Sequence, residues 1–296
     1  HYTNRLDNSF VDNSGNLNIV AKGETWTDQG LTKNYTSARL NSKFAFKYGR
    51  VDVRAKLPSG NGTWPAIWTL GKNIYEPGAF WHSSHGTTSW PECGEIDIME
   101  HGLGATNHVS SALHTVSSSS NTINTSGIDI SDVSANYHVY SMNWSPNQIT
   151  FMVDDVGFYT YNPSDKDVNT WPFYEEQFIL LNVAMGGIAG AVDPGFNQSP
   201  MIVDYVRVYQ EAPLSASNTL NLDTALKLYP NPATDKIHIS STMTLSRLAL
   251  YDVYGKLILT KENDTKILDV SRLNSGVYFL EVSSNTEKVV KKVMVN

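Results

Sequence analysis

Short apolar runs with period-two alternation, broken by clusters of Gly, Asn, Ser and Asp, fill residues 1–210. That period places successive side chains on opposite faces of a β-strand. Residues 17–21, 51–57, 149–154 and 201–209 are clear examples. No stretch sustains a period near 3.6, so the pattern predicts an all-β antiparallel sandwich of the jelly-roll class. Residues 117–127 are polar and predict a mobile loop. Residues 211–224 (EAPLSASNTLNLDT) are polar, lack aromatics and read as a linker. Alternation resumes over 225–296, with turns predicted at Tyr254-Gly255-Lys256 and Asn274-Ser275-Gly276. That segment predicts a second, small β-sandwich.

One run breaks the alternation in an informative way. Glu95-Ile96-Asp97-Ile98-Met99-Glu100 carries three acids among apolar, β-prone spacers. In a strand, Glu95 and Asp97 share a face with Ile96 and Ile98 opposite. Glu100 then falls on the wrong side, unless one extra residue restores the parity. A β-bulge supplies that residue and re-aims the side chain after it, so a bulge is predicted at Ile98-Met99. All three carboxyls then gather on one face, where crowding drives their pKa values apart and suits them to acid and base chemistry. Side-chain leaning would bring Glu95 and Glu100 to the ~5–5.5 Å of a retaining glycosidase. The competing readings are a calcium site and a solvated acidic strand. Calcium loops are rich in Gly, Asn and Asp rather than Ile and Met, which favours catalysis.

The 296 residues suffice for two domains, and a composition of 41% hydrophobic and 17% charged residues is globular. A net charge of −7 argues against nucleic acid and anionic membranes as partners and suits a neutral polysaccharide. Ten basic and seven acidic residues give 225–296 a charge of +3, which leaves −10 for the rest and supports a separate domain. The single cysteine, Cys93, rules out an internal disulfide and is expected as a small buried hydrophobe. No apolar run reaches the length of a membrane-spanning helix.

The acid run and its surroundings resemble the laminarinase-like branch of glycoside hydrolase family 16. The resemblance is carried by Trp90-Pro91-Glu92-Cys93-Gly94 before the acids, by Ser37-Ala38-Arg39-Leu40, by 46–58 (FKYGRVDVRAKLP), by Gly62-Thr63-Trp64-Pro65-Ala66-Ile67-Trp68, and by 178–187 and 202–209. It covers about residues 2–210 and implies a concanavalin A-like jelly roll that cuts β-1,3-glucan or mixed-linkage β-glucan internally, with retention. It also implies Glu95 as nucleophile, Glu100 as general acid/base and Asp97 as assisting acid. Trp64, Trp68, Trp90, His114, Arg39 and Asn182 become candidate sugar contacts, and Arg39 is expected on sugar hydroxyls. Tyr140, Trp144, Tyr205 and Tyr209 are expected inside the sandwich. No catalytic cofactor is implied. Asp204 matches an acid that holds a structural calcium in the family. The opening Tyr2-Thr3-Asn4-Arg5 resembles the interior of the family's early region, so the chain is expected to begin after the first strand, in truncated or processed form. Thr115 and Gly186-Gly187-Ile188 stand where laminarinases often carry aromatics, which implies a less aromatic cleft.

Residues 225–296 resemble the type A sorting domain of the Bacteroidota type IX (Por) secretion system, an Ig-like sandwich. Its marks are Leu228-Tyr229-Pro230-Asn231-Pro232, Tyr251-Asp252-Val253-Tyr254-Gly255-Lys256 and Leu273-Asn274-Ser275-Gly276-Val277-Tyr278. The implied partners are β-glucan and the secretion machinery, and the protein is expected to be a monomer, secreted or attached to the outer-membrane surface. The alternatives are a carbohydrate-binding module for the tail, which lacks Trp, and a non-catalytic glycan-binding protein or a transglycosylase for the whole.

Overall fold

A computed structural model describes residues 1–119, 121–210, 222–262, 265–284 and 288–296, and only the backbone of 223 and 224. The chain divides into two compact units, His1–Ala212 and Pro213–Asn296. Most of the linker expected at 211–224 lies outside the described residues, and its last residues open a short helix, α2 (Leu222–Ala225).

Among the described residues, the first unit has fourteen strands. They are β1 (Ser9–Val11), β2 (Leu17–Asp28), β3 (Leu31–Thr36), β4 (Arg39–Phe46), β5 (Gly49–Lys56), β6 (Thr63–Gly71) and β7 (Glu95–His101). After these come β8 (His108–His114), β9 (Thr125–Asp129), β10 (His138–Trp144), β11 (Ile149–Val153), β12 (Val156–Tyr161), β13 (Gln177–Met185) and β14 (Gln198–Tyr209). A short helix, α1 (His82–His85), lies between β6 and β7. Two sheets form: β1-β2-β14-β5-β10-β11-β12, with β3 paired to β2, and β4-β13-β6-β7-β8-β9. Inward positions of both sheets share one core, with Ile19, Val51, Val53, Met142 and Phe151 from the first and Ile67, Ile96, Leu113, Ile179 and Val183 from the second. Each such side chain contributes about 1.5–3 kcal/mol by leaving water, and together they hold the second sheet as a rigid platform.

The expected bulge is present. On one side of β7, Met99 pairs with Ile67 and Asp97 with Trp68, which leaves Ile98 unmatched. On the other, Asp97 pairs with Ala112 and Glu100 with Ser110, so Ile98 and Met99 together oppose Ser111. The Ser111 hydroxyl donates to the Ile98 carbonyl at 2.7 Å and so satisfies a group beside the break in the ladder. Ile96, Ile98 and Met99 all enter the core.

A second bulge, which the sequence reading did not anticipate, corrects another expectation. In β14 the register shifts at Asp204: Val203 pairs with Ala55, but Tyr205 pairs with Arg54. Parity reverses there, so Tyr205 and Tyr209 face outward, Tyr209 being exposed and Tyr205 lying under the Arg207 guanidinium. Tyr140 and Trp144 are buried as expected. The loop expected at 117–127 ends early, since β9 begins at Thr125 and pairs with β8; Ser120 lies outside the described residues.

The second unit has its own core, including Ile237, Leu248, Leu250, Leu280 and Val293. Its strands β15 (Leu226–Tyr229), β16 (Lys236–Ser241), β17 (Leu245–Tyr251), β18 (Leu257–Glu262), β19 (Ile267–Asp269), β20 (Gly276–Ser284) and β21 (Lys288–Val295) form sheets β15-β16-β19 and β18-β17-β20-β21. The turn expected at 254–256 is present between β17 and β18, where the Gly255 N–H donates to the Asp252 carbonyl at 3.0 Å. The one expected at 274–276 lies earlier, closed by the Leu273 N–H on the Val270 carbonyl, and Gly276 already opens β20.

Gly102, just past β7, has φ +92°, and a Cβ there would lie 2.1 Å from the Thr63 carbonyl oxygen. Gly102→Ala therefore adds left-handed strain to a backbone clash and should cost about 2 kcal/mol or more. Thermal unfolding should show the midpoint of the first unit lowered by ~4–8 °C. An unchanged midpoint would mean that this end of β7 is not held against β6.

Candidate active site

Cross-strand partners share a face of a sheet, so the registers lay out the concave floor in rows. Arg39, Asn182, Ala66, Glu100 and Ser110 form one row. Leu180, Trp68, Asp97 and Ala112 form the next. Phe178, Leu70, Glu95 and His114 form the third. The three acids therefore stand on one face, as the bulge requires. Ser110 and Ala112 are small residues beside them.

Each outer acid is held by an indole. Trp64 Nε1 donates to Glu100 Oε1 at 2.9 Å, and Trp90 Nε1 donates to Glu95 Oε2 at 3.0 Å. Trp90 is 44% exposed. Gly94 makes the approach to β7 possible: its φ is +77°, and a Cβ would press on Pro172 and the Phe173 ring at 2.9–3.0 Å. His114 Nε2 lies 3.2 Å from Asp97 Oδ2 and 3.7 Å from Glu95 Oε1. Its ring centroid is 5.6 Å from that of Trp90.

Burial raises all three acids above the ordinary carboxylate range. Glu95 is pushed up to about 8, first by burial and next by the charge of Asp97, against the pull of His114 and the Trp90 N–H. Asp97 is raised by burial and by Glu100. Glu100 is raised by burial, offset in part by the Trp64 N–H and by His114. Such a set holds shared protons at neutral pH and can both give and accept one. Cys93, buried beside them, is pushed up to about 12 by burial and then by Glu95, so its thiol is inert.

The remaining expected contacts separate. Asn182 is buried in the floor and accepts from Trp68 Nε1 at 2.7 Å. Trp68 packs against the small cluster of Leu70, Phe178 and Leu180, with the Arg39 guanidinium 5.2 Å above its ring. Its ring is therefore part of the cleft floor rather than an open platform. Arg39 makes a two-pronged pair with Glu76, at 3.0 and 3.1 Å. Those N–H groups are engaged by a carboxylate, where the sequence reading placed sugar hydroxyls. Asp204 projects from the other sheet and accepts from Arg54 Nη1 at 2.6 Å. One carboxylate and one guanidinium do not make the oxygen-rich shell that calcium takes. Two residues went unanticipated, Glu76 and Thr122, whose hydroxyl lies 3.5 Å from His114 Nδ1. Neither sits in a motif that would have marked it.

The profile of the glycosyl hydrolases family 16 matches residues 7–207, and that of the secretion system C-terminal sorting domain matches 227–296. A beta-glucanase of Rhodothermus marinus is 36% identical over 224 residues, which span 71% of this chain and 73% of that protein. A keratan-sulfate endo-1,4-beta-galactosidase of Sphingobacterium multivorum is 41% identical over 201 residues, 65% of this chain and 44% of that protein. The crystal structure of a LamA variant from Z. galactanivorans, in complex with laminaritriose and laminaritetraose, is 44% identical. It covers 71% of this chain and 84% of that one, with a TM-score of 0.64.

The raised acids carry a stability consequence. Between the ordinary 4.5 and about 8, folded Glu95 keeps a proton that the unfolded chain releases. Stability from this group is thus complete below 4.5 and is lost as pH rises through the folded value. Thermal unfolding of the first unit should fall from pH 5 to pH 9, and Glu95→Gln should flatten that fall. A steeper fall in the variant would contradict the protonation described.

Proposed function

The chain belongs to glycoside hydrolase family 16, and from that premise we propose that it hydrolyses β-1,3-glucosidic bonds within laminarin-type or mixed-linkage β-glucan, with retention of configuration. The observation that carries this reading is the bulged β7, which sets Glu95, Asp97 and Glu100 on one cleft face between two indole donors.

In the proposed mechanism Glu95 attacks the anomeric carbon while Glu100 protonates the leaving oxygen. The resulting glycosyl ester is then hydrolysed by a water that Glu100 deprotonates. The hydrogen bond from Trp90 stabilises ionised Glu95 and aims its second oxygen at the cleft. Trp64 does the same for Glu100. Asp97, between them, holds shared proton density and raises Glu95 until a sugar displaces water. His114 offsets part of the rise at Glu95 and Glu100. The exposed face of Trp90 supplies apolar surface for a sugar ring.

Substrate preference follows the laminari-oligosaccharides of the LamA complex and the glucan of the Rhodothermus relative. The sorting domain directs the chain to type IX secretion and an extracellular or cell-surface destination. Within that destination the protein acts as a monomer, released or attached at the outer-membrane surface, on β-glucan outside the cell.

Glu95→Gln should abolish release of oligosaccharides from laminarin with the fold retained by circular dichroism. Glu100→Gln should cost about 10²–10⁴ in kcat, and far less on an aryl β-laminaribioside whose leaving group needs no proton. Side-by-side product analysis on laminarin, mixed-linkage glucan, agarose and keratan sulfate tests the substrate. Cleavage of the galactans alone would overturn the glucan assignment. In the wild type, the ascending limb of kcat/KM against pH should lie well above 4.5. Asp97→Asn removes a neighbouring negative charge, so that limb should move to lower pH. Movement upward would contradict the role given to Asp97.

A further inference from the structure

Three side chains in the cleft meet at a spacing that suits a metal ion. One oxygen each of Glu95 and Asp97 and one nitrogen of His114 lie within 4.8 Å of one another. His114 Nε2 is 3.2 Å from Asp97 Oδ2 and 3.7 Å from Glu95 Oε1. Ligands held at 2.0–2.1 Å around a tetrahedral zinc ion stand about 3.3 Å apart. The observed spacings bracket that value before any ion arrives.

The second polar atoms of Glu95 and His114 already have partners. Glu95 Oε2 accepts from Trp90, which leaves Oε1 turned toward the imidazole. Thr122 Oγ1 sits 3.5 Å from His114 Nδ1, the outer contact that orients a metal-binding histidine. Asp97 is 3% exposed, and its Oδ2 is buried with no hydrogen-bond partner while facing His114 Nε2. A buried oxygen in that state costs free energy, and a cation would satisfy it. Glu95 and His114 side chains each keep 17% exposure, so an ion can enter from the cleft and retain water as its fourth ligand. Imidazole with two carboxylates selects zinc or a similar transition metal over calcium or magnesium, which take oxygen shells.

We propose that Glu95, Asp97 and His114 form an inhibitory site for zinc or a similar divalent transition-metal ion. The ion ties up Glu95 Oε1, the oxygen assigned to attack, so metal and glucan compete for the cleft. The inhibitory consequence rests on the glycosidase reading, while the binding itself does not.

The test titrates zinc chloride calorimetrically into the full chain. Wild type should bind one ion at a site that His114→Asn and Asp97→Asn each weaken at least tenfold, with circular dichroism confirming that the variants fold. The histidine pair on α1, half-buried His82 and exposed His85, serves as control: a His82→Gln/His85→Gln variant should bind as wild type does. Laminarioligosaccharide should suppress the binding heat, and zinc should inhibit laminarin hydrolysis competitively. Unchanged affinity in both cleft variants, or loss in the α1 variant, overturns the site. Zinc binding as described without any glucan hydrolysis would overturn the glucan assignment instead and leave the metal site standing. Hydrolysis untouched by zinc would do the reverse.

Discussion

Everything in the cleft depends on one extra residue in β7. A regular strand would turn Glu100 toward the sandwich core, and a buried, unpaired carboxylate costs several kcal/mol. The bulge gives up part of one ladder, worth about 0.5–1.5 kcal/mol per hydrogen bond, and the Ser111 hydroxyl recovers part of that at the Ile98 carbonyl. In exchange Ile98 and Met99 both reach the core. The comparison of magnitudes explains why the irregular strand is the stable one, and why three clustered acids and core packing coexist in one short segment.

The same crowding that makes the acids reactive makes them costly. Burial and mutual repulsion lift all three above the ordinary range. The cleft contains this cost with two indole N–H donors and an imidazole rather than with fixed cations. A lysine or arginine beside Glu95 would lower its pKa and end the sharing of protons. Here the nearest guanidinium of the floor, Arg39, is held by Glu76 instead. The sorting unit has a core of its own and the opposite net charge.

Much of this was legible in the chain. The β7 bulge could be read because parity is a local property: three acids and two isoleucines leave one arrangement with all acids on a face. The bulge at Asp204 is harder to read, because Asp204 and Arg207 stand on opposite parities while Val203, Tyr205, Val206 and Val208 offer apolar side chains in both phases, and the pairing with Ala55 and Arg54 decides the register. Hence Tyr205 and Tyr209 were expected inside and lie outside. The resemblance places Arg39 on sugar hydroxyls, with an ion pair as the alternative, and the identity of its ion-pair partner, Glu76, could not be read because that residue lies 37 positions away in a loop with no motif to mark it. The polar composition of 117–127 hid β9, which forms because β8 offers it an open edge.

The sequence by itself therefore determined the strand pattern, the division into a sandwich and a tail, and the face on which the acids stand, because each follows from the two-residue period and the nature of neighbouring side chains. Tertiary structure decided the partners and the protonation of those acids. Trp64, Trp90 and His114 reach Glu100, Glu95 and Asp97 from neighbouring strands and a preceding loop, and the desolvation that lifts the carboxylates comes from the packed sheet as a whole. Burial is a sum over many remote atoms, so no local pattern can carry it.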